Sequence, residues 1–427
     1  MKGETFAGGL RWPASDAGVT ESFLTVPLAE KLVVPMGQHD GTPLKAGVKK
    51  KAELQGGDLL GESETLCLYS PAAGSVTDVI KQFPKLDGTV VPAVAIARGE
   101  AESSPVVPLE GDAPSELAAK AGIVDSGRSP EPLSTKLMRA KEKGCSTLLI
   151  NGVEWEAVLS SKRSLMRAFP EEIAQGIGVL KDAIGAETVM LAVSTGAEAA
   201  AKGVAEAGEG IEVTPLPQKH PQSLDELLVK GLWGKEIPAG RKADDLGILV
   251  LDLETALHTK RAVVDKQACQ YRYITVTGTA VPETTNVAVP LGTPVREVLR
   301  FCKIDPTRVA KIAVGGPLMG PPLPDLDMPV TWETNGLYVL DRDHVGGGAL
   351  PEDCFKCGAC VRVCPMNLMP FLIAGFSQAD SFDLAENNSI LSCVECGCCA
   401  YVCPAQIPMV QWIQLGKSEI RAERSSE

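Results

Sequence analysis

Cys354-Phe-Lys-Cys357-Gly-Ala-Cys360-Val-Arg-Val-Cys364-Pro365 is echoed by Cys393-Val-Glu-Cys396-Gly-Cys398-Cys399-Ala-Tyr-Val-Cys403-Pro404. Each run reads C-x2-C-x2-C-x3-C-P, the bacterial spacing for a pair of [4Fe–4S] clusters. Three cysteines in a tight loop aim their thiolates at three corners of one cubane. The fourth, at the start of a helix with proline behind it, points the other way and reaches the other cluster. The spacing assigns Cys354, Cys357, Cys360 and Cys403 to cluster 1, and Cys393, Cys396, Cys399 and Cys364 to cluster 2. Such a pair lets electrons hop between centres. Zinc asks for four ligands, often as two spaced pairs, and does not require a triple plus one twice over. Cys398 sits between two ligands. The frame ending at Cys403-Pro404 selects Cys399 and leaves Cys398 as a spare.

The remaining cysteines, Cys67, Cys145, Cys269 and Cys302, are scattered. That suits a reducing compartment rather than a disulfide scaffold. At 427 residues and 44% hydrophobic content the chain can build three or four cores. Its net charge of −13 argues against nucleic acid, which needs a basic face. No run of 18 apolar residues occurs, and Met1-Lys-Gly-Glu-Thr-Phe6 has no apolar signal core. The expectation is a cytoplasmic chain whose membrane association comes from partners.

Outward from the cysteines, the pattern changes period several times. Residues 1–110 read as all-β: Lys31-Leu-Val-Val-Pro35, Leu66-Cys-Leu-Tyr69 and Val90-Val-Pro-Ala-Val-Ala95 are short apolar runs between Gly and Pro. Gly56-Gly-Asp-Leu-Leu-Gly61 and Ser70-Pro-Ala-Ala-Gly-Ser-Val-Thr-Asp78 fit a barrel-sandwich hybrid of the lipoyl-carrier type, without the carrier's lysine turn. His39 is either a ligand or, the commoner use, a packed loop histidine. Residues 100–116 are polar, acidic and Pro-bearing, as a linker would be. From 115 to 265 strands alternate with helices, which means a parallel α/β sheet. Thr147–Asn151, Thr188–Val193, Gly210–Pro215 and Leu246–Leu251 are the strands; Pro170–Ile184, Gly196–Ala207, Ser223–Lys230 and Glu254–Val264 are the helices. Such sheets bind ligands at the carboxyl ends of their strands. Residues 268–345 read ββαββ, a small β-grasp module, and Gly346–Gly348 a joint before a cluster domain at 349–427. The tail Pro408–Arg421 spaces Met409, Val410, Ile413, Leu415 and Ile420, with Trp412, as a helix packed on its own domain or a partner; the alternative is a membrane-surface helix, which its mixed charge disfavours.

The order of parts is multidomain, α+β and α/β: barrel-sandwich, α/β, β-grasp, two-cluster ferredoxin-like helical domain. It resembles the C-subunit family of the Rnf complexes, membrane-bound ion-translocating ferredoxin:NAD⁺ oxidoreductases. Thr5-Phe-Ala-Gly-Gly9, Gln38-His39-Asp-Gly41, Gly315-Gly-Pro-Leu-Met-Gly320 and the cluster runs carry the resemblance. Leu318 replaces the family's first Met in that turn. In the family the α/β and β-grasp parts are similar to the flavin- and NADH-binding subunit of respiratory complex I. The resemblance therefore implies FMN and NADH, with Gly127, Lys136, Asn151, Glu154 and Glu156 as the matching cofactor-binding positions.

The chain departs from that pattern in one place after another. The family's flavin loop has the form G-x-G-G-A-G-F-P. Glycines there let the backbone approach the flavin phosphate. Here the loop reads Asp125-Ser-Gly127-Arg-Ser-Pro130-Glu131-Pro132, keeping only Gly127 and Pro132. Asp125 and Glu131 add negative charge, Pro130 removes a donor, and Arg128 offsets part of the charge while taking up space. Trp155 stands for a small Cys, His220-Pro-Gln-Ser-Leu-Asp225 has lost two glycines, and Asp252-Leu-Glu254-Thr-Ala256 has gained acids. Two readings follow: an α/β scaffold without flavin, or a flavin held by altered contacts. Glu154 and Glu156 are accordingly either nicotinamide-ribose ligands or exposed strand-end acids.

The resemblance implies an electron-transfer subunit peripheral to the cytoplasmic face of the membrane. It would relay electrons through two [4Fe–4S] clusters between ferredoxin, NAD(H) or another carrier and the membrane subunits of an Rnf-type complex. The rival is a non-catalytic iron–sulfur adaptor that docks a cytochrome or ferredoxin without flavin or NADH chemistry.

Overall fold

The computed structural model describes residues 6–12, 18–39, 43–99, 109–127, 130–345 and 351–426. Thr5, Asp40, Gly41, Arg128, positions 100–108 of the expected linker and the Gly346–Gly348 joint lie outside them.

In the N-terminal unit, Lys31–Pro35, Val90–Arg98, Gly74–Pro84 and Glu53–Leu54 form an antiparallel sheet, with the hairpin Leu59–Glu62 and Cys67–Tyr69 beside it. Alternation decides which side is buried: Leu32, Val34, Val94 and Ile96 face a core shared with Met36, Leu60 and Leu66.

The expected linker ends early. Pro114–Lys120 is a helix with Pro114 in its first turn and Leu117 fully buried. Proline is as welcome at the first helical position as in a linker, so its presence did not separate the two. A parallel sheet follows, ordered Ile211–Leu216, Thr188–Ser194, Thr147–Asn151, Ile248–Asp252. Thr147–Asn151, Thr188–Ser194 and Ile248–Asp252 are buried on both faces, as parallel strands are, while the edge strand Ile211–Leu216 turns Glu212 and Pro215 to solvent. Leu148, Ile150, Leu191 and Leu251 turn toward the helices Leu133–Glu142, Pro170–Ile184, Glu198–Ala207 and Leu253–Val263. Leu149, Met190 and Val250 turn the other way, onto the helix Asp225–Trp233. Asn151 and Asp252 pair at the carboxyl edge, where β-to-α turns gather side chains from both faces.

The third unit has the ββαββ order, Tyr271–Thr277, Thr285–Pro290, helix Val295–Phe301, Val309–Val314, Gly336–Asp341. Its sheet gains a fifth strand that the sequence did not announce: Leu24–Thr25 pairs in parallel with Val287–Ala288. Two exposed residues carry no periodic signal. Gln38 ties the first unit to this one, accepting from the Trp332 amide (3.2 Å) and donating to Pro35 O (3.1 Å). The C-terminal unit is helical, and its last helix, Met409–Ser426, lays Met409, Ile413 and Ile420 into the unit's own core. No helix among the described residues is long and apolar enough to cross a membrane.

Candidate functional site

The eight assigned cysteines fall into two cavities. Cys354, Cys357, Cys360 and Cys403 line a space of about 330 Å³. Cys364, Cys393, Cys396 and Cys399 line one of about 380 Å³, together with Cys398. The fourth cysteine of each run thus sits with the first three of the other. Short helices, Ala359–Val363 and Cys398–Tyr401, produce the crossing: Gly358 and Gly397 start them in the left-handed region, and the chain turns away before the last cysteine. Thiols and apolar side chains such as Ile373 and Ile413 make up most of the second lining. A dry, four-thiol donor set of this kind fits a [4Fe–4S] cluster.

The two sites differ in exposure. Cys354 and Cys357 are exposed, with Phe355 62% exposed between them. Cys364, Cys396 and Cys399 are buried. We call the first site outer and the second inner. At the inner site the Leu368 amide donates to Cys364 Sγ and the Glu395 amide to Cys393 Sγ, each at 3.4 Å.

Every other unit of the chain reaches the inner site. From the N-terminus, the Gly9 amide donates to Val363 O at 2.7 Å, and Leu10–Arg11 pairs with Lys219–His220. From the α/β unit, His220 Nε2 lies 2.7 Å from Cys396 O. Burial pushes this imidazole down to about 4, so the ring is neutral and Nε2 carries the proton that the carbonyl accepts. From the β-grasp unit, Leu318 packs against Gly397, whose added Cβ would meet Leu318 O at 2.4 Å. That turn is fixed by Glu156, which accepts from the amides of Met319 (2.8 Å) and Leu318 (3.0 Å). Burial pushes the Glu156 carboxyl up to about 7, with those amides pulling the other way. Trp155 fills the space beside the turn with Met319 and Leu10.

At Gly8 (φ +65°) a Cβ would fall 2.7 Å from both Val363 O and Cys364 O. Gly8→Val is therefore expected to lift the N-terminal segment off the inner site. The loss should be about 1–3 kcal/mol, read as a lower thermal midpoint and faster bleaching of one cluster in air.

The carboxyl edge of the α/β sheet is occupied by the chain's own charges. Asp125 Oδ1 accepts from the Asp252 amide (2.8 Å) and Thr255 Oγ1 (2.6 Å), at the N-terminus of the helix Leu253–Val263. Its Oδ2 is 2.8 Å from Lys136 Nζ, which also donates to Val250 O. Lys162 pairs with Asp252 (2.5 Å) and Arg272 with Glu254 (2.5 Å). Glu154 accepts from the Arg163 amide at 3.0 Å. Asn151 donates to Ser223 O and accepts from the Val153 amide. Burial pushes Asp225 up to about 7, with Lys136 opposing, and raises Asp252 against Lys162.

Each expected cofactor position except Gly127 thus has an internal partner, and a Cβ added at Gly127 meets nothing within 4 Å. The reading of Glu154 and Glu156 as exposed acids is wrong: Glu156 is 2% exposed, and both carboxylates cap backbone amides. Glu131 does not face this edge, being held well below the usual carboxylate range, to about 2, by Arg139 and Lys242 against its partial burial. A helix N-terminus is a natural phosphate site, and here Asp252 caps it, its Oδ1 accepting from the Glu254 amide at 3.0 Å, with the Asp125 carboxylate beside it on the Asp252 amide. The remaining space is about 310 Å³, bordered by Glu154, Trp155, Lys162, Asp252, Glu254 and Arg272. A flavin phosphate would enter among acids whose cations, among the described residues, are already paired, and these residues do not fit it.

Comparison with known families matches three stretches of the chain. Residues 4–101 match the RnfC barrel sandwich hybrid domain, 118–261 the Nuo51 FMN-binding domain and 353–407 the 4Fe-4S dicluster domain. The chain is 30% identical over 443 residues to the C subunit of the Na(+)-translocating ferredoxin:NAD(+) oxidoreductase complex of Acetobacterium woodii, spanning 99% of each. It is 32% identical over 433 residues to the C subunit of the ion-translocating oxidoreductase complex of Pseudomonas aeruginosa, spanning 98% of this chain but 56% of that one. It thus spans little more than half the length of the Pseudomonas relative. Among solved structures it is similar to an NAD+-reducing [NiFe]-hydrogenase in the H2-reduced state. That likeness has a TM-score of 0.49 and 15% identity, over 73% of this chain and 61% of that one.

Proposed function

The chain belongs to the C-subunit family of the ion-translocating Rnf-type oxidoreductase complexes, and from that membership we propose that it is the iron–sulfur relay of such a complex, moving electrons one at a time through its two clusters. The observation that carries this reading is the pair of crossed cysteine quartets, one open at the surface and one buried, with the other units packed against the loops that hold it. Cys354, Cys357, Cys360 and Cys403 hold the outer cluster; Cys393, Cys396, Cys399 and Cys364 hold the inner one. The clusters supply one-electron redox chemistry, and the protein fixes their separation, exposure and surroundings. The exposed outer site is the port for a partner: ferredoxin, a cytochrome or a neighbouring subunit of the complex at the cytoplasmic face of the membrane.

The Asp125–Lys136 pair at the α/β edge favours a flavin-free form of this reading. In it the α/β unit is a scaffold that encloses the inner site, and NADH is not oxidised by this chain. Anaerobic reconstitution tests both parts. About eight irons per chain, no bound FMN and no bleaching of the clusters by NADH are expected. About four irons would sink the two-cluster relay. Stoichiometric flavin with NADH-driven bleaching would replace the scaffold with a dehydrogenase.

A further inference from the structure

Lys417 is 2% exposed, on the helix Met409–Ser426. Its Nζ donates to Cys393 O at 2.6 Å and to Glu395 Oε1 at 2.5 Å. Fully buried lysines are rare because desolvating an ammonium is costly unless it is paired. Here the pairing is lopsided. Lys417 lies inside, against a residue of the inner quartet, whereas the Glu395 side chain is 23% exposed and also accepts from Gln414 Nε2 at 3.1 Å. Solvent screens the carboxylate more than the ammonium. The net field at Cys393 is therefore positive. The outer quartet also has a cation on a ligand carbonyl, Arg362 Nη1 donating to Cys357 O at 3.2 Å, but Arg362 and the cavity-lining Lys356 are both exposed, and solvent screens them where it does not screen Lys417.

Reduction of a [4Fe–4S] cluster adds one negative charge, and its potential follows local charge and hydrogen bonding. We propose that Lys417 sets the potential of the inner cluster above that of the outer one, so that an electron arriving at the exposed port settles inside. In that step the outer cluster is oxidised by one electron and the inner one reduced by one, with no proton required. Lys417 and Glu395 act in opposite directions on the same centre, and this separates a tuning role from a merely structural salt bridge. This inference rests on the two-cluster relay.

The test is an EPR-monitored redox titration of the full reconstituted chain, in which the inner wave is the one that survives in Cys403→Ala. The native chain must first show about eight irons and two waves; failure there defeats the relay itself. In Lys417→Met the reduced-to-oxidised ratio of the inner wave at fixed poise should fall on the order of tenfold, a shift of about 59 mV for a one-electron couple. Lys417→Arg, which keeps the charge, should hold the native value. Glu395→Gln should raise the inner potential, and because Glu395 is partly exposed this variant remains readable should Lys417→Met fail to fold. The outer wave should stay in place throughout. An inner wave unmoved in Lys417→Met, or lowered in Glu395→Gln, overturns the proposal. So does an equal shift of both waves.

Discussion

Cys364→Ala is expected to empty the inner cluster and spare the outer one, although Cys364 stands in the same run as three outer ligands. Iron should fall from about eight to about four per chain. Cys403→Ala should do the reverse. The reason is geometric. Cys364 lies in the cavity of Cys393, Cys396 and Cys399, and Cys403 in the cavity of Cys354, Cys357 and Cys360. The two losses should differ in consequence. The inner cavity lies against the N-terminal segment, the His220 corner and the Leu318 turn, so emptying it withdraws support from contacts that join all four units. Cys364→Ala should therefore lower the thermal midpoint and open the chain to proteolysis at the unit boundaries. Cys403→Ala should cost iron with a far smaller change in either. If Cys364→Ala removed the outer EPR signal instead, each run would hold its own cluster and the crossing would be wrong.

The parts legible in the sequence were those whose signal is local. Thr147-Leu-Leu-Ile-Asn151 is a run of buried residues in a row, and Pro170–Ile184 carries its start signal in Pro170, Glu171 and Glu172; both elements have the expected bounds. The β-grasp order was likewise written in β-branched runs. What escaped depends on partners distant in sequence. Leu10–Arg11 becomes a strand only because Lys219–His220 is beside it. Lys417 looked like one charge on a mixed-charge tail, and only the packing of that helix buries it against Cys393. At the α/β edge the sequence revealed the chemistry but not its geometry. Asp125 and Glu131 both read as negative charges that would repel a phosphate. In the structure Asp125 faces inward, accepting from the Asp252 amide beside the helix N-terminus that Asp252 caps, while Glu131 pairs with Arg139 and Lys242. Glu156 matched a cofactor-binding position, yet its carboxylate holds the turn that carries Leu318 to the cluster loop.

Asp125→Ala should be among the most destabilising single changes in the chain, at about 3–5 kcal/mol. The side chain is 3% exposed and bonds Lys136, Thr255 and the Asp252 amide at once. Removing it leaves the Lys136 ammonium, 13% exposed, bonded to Val250 O with no hydrogen-bonded counter-charge, Asp225 and Glu131 acting on it only through space, and leaves the Asp252 amide without its acceptor. The double variant Asp125→Ala with Lys136→Met should recover much of the loss, because the stranded charge is gone. A double variant no better than the single one would mean that the ion pair contributes little and that capping of Asp252 carries the effect. The same thermal measurement reports on flavin. A ligand present at about 100 times its Kd raises stability by about 2.7 kcal/mol, a shift that a thermal scan detects. Added FMN should leave the native midpoint unchanged, since Asp252 and Asp125 already occupy the helix N-terminus and the neighbouring cations among the described residues are paired. It should leave Asp125→Ala unchanged as well, because Asp225, Asp252 and Glu254 still line the edge. FMN stabilisation of the native chain would show that this ion-pair network opens for the cofactor.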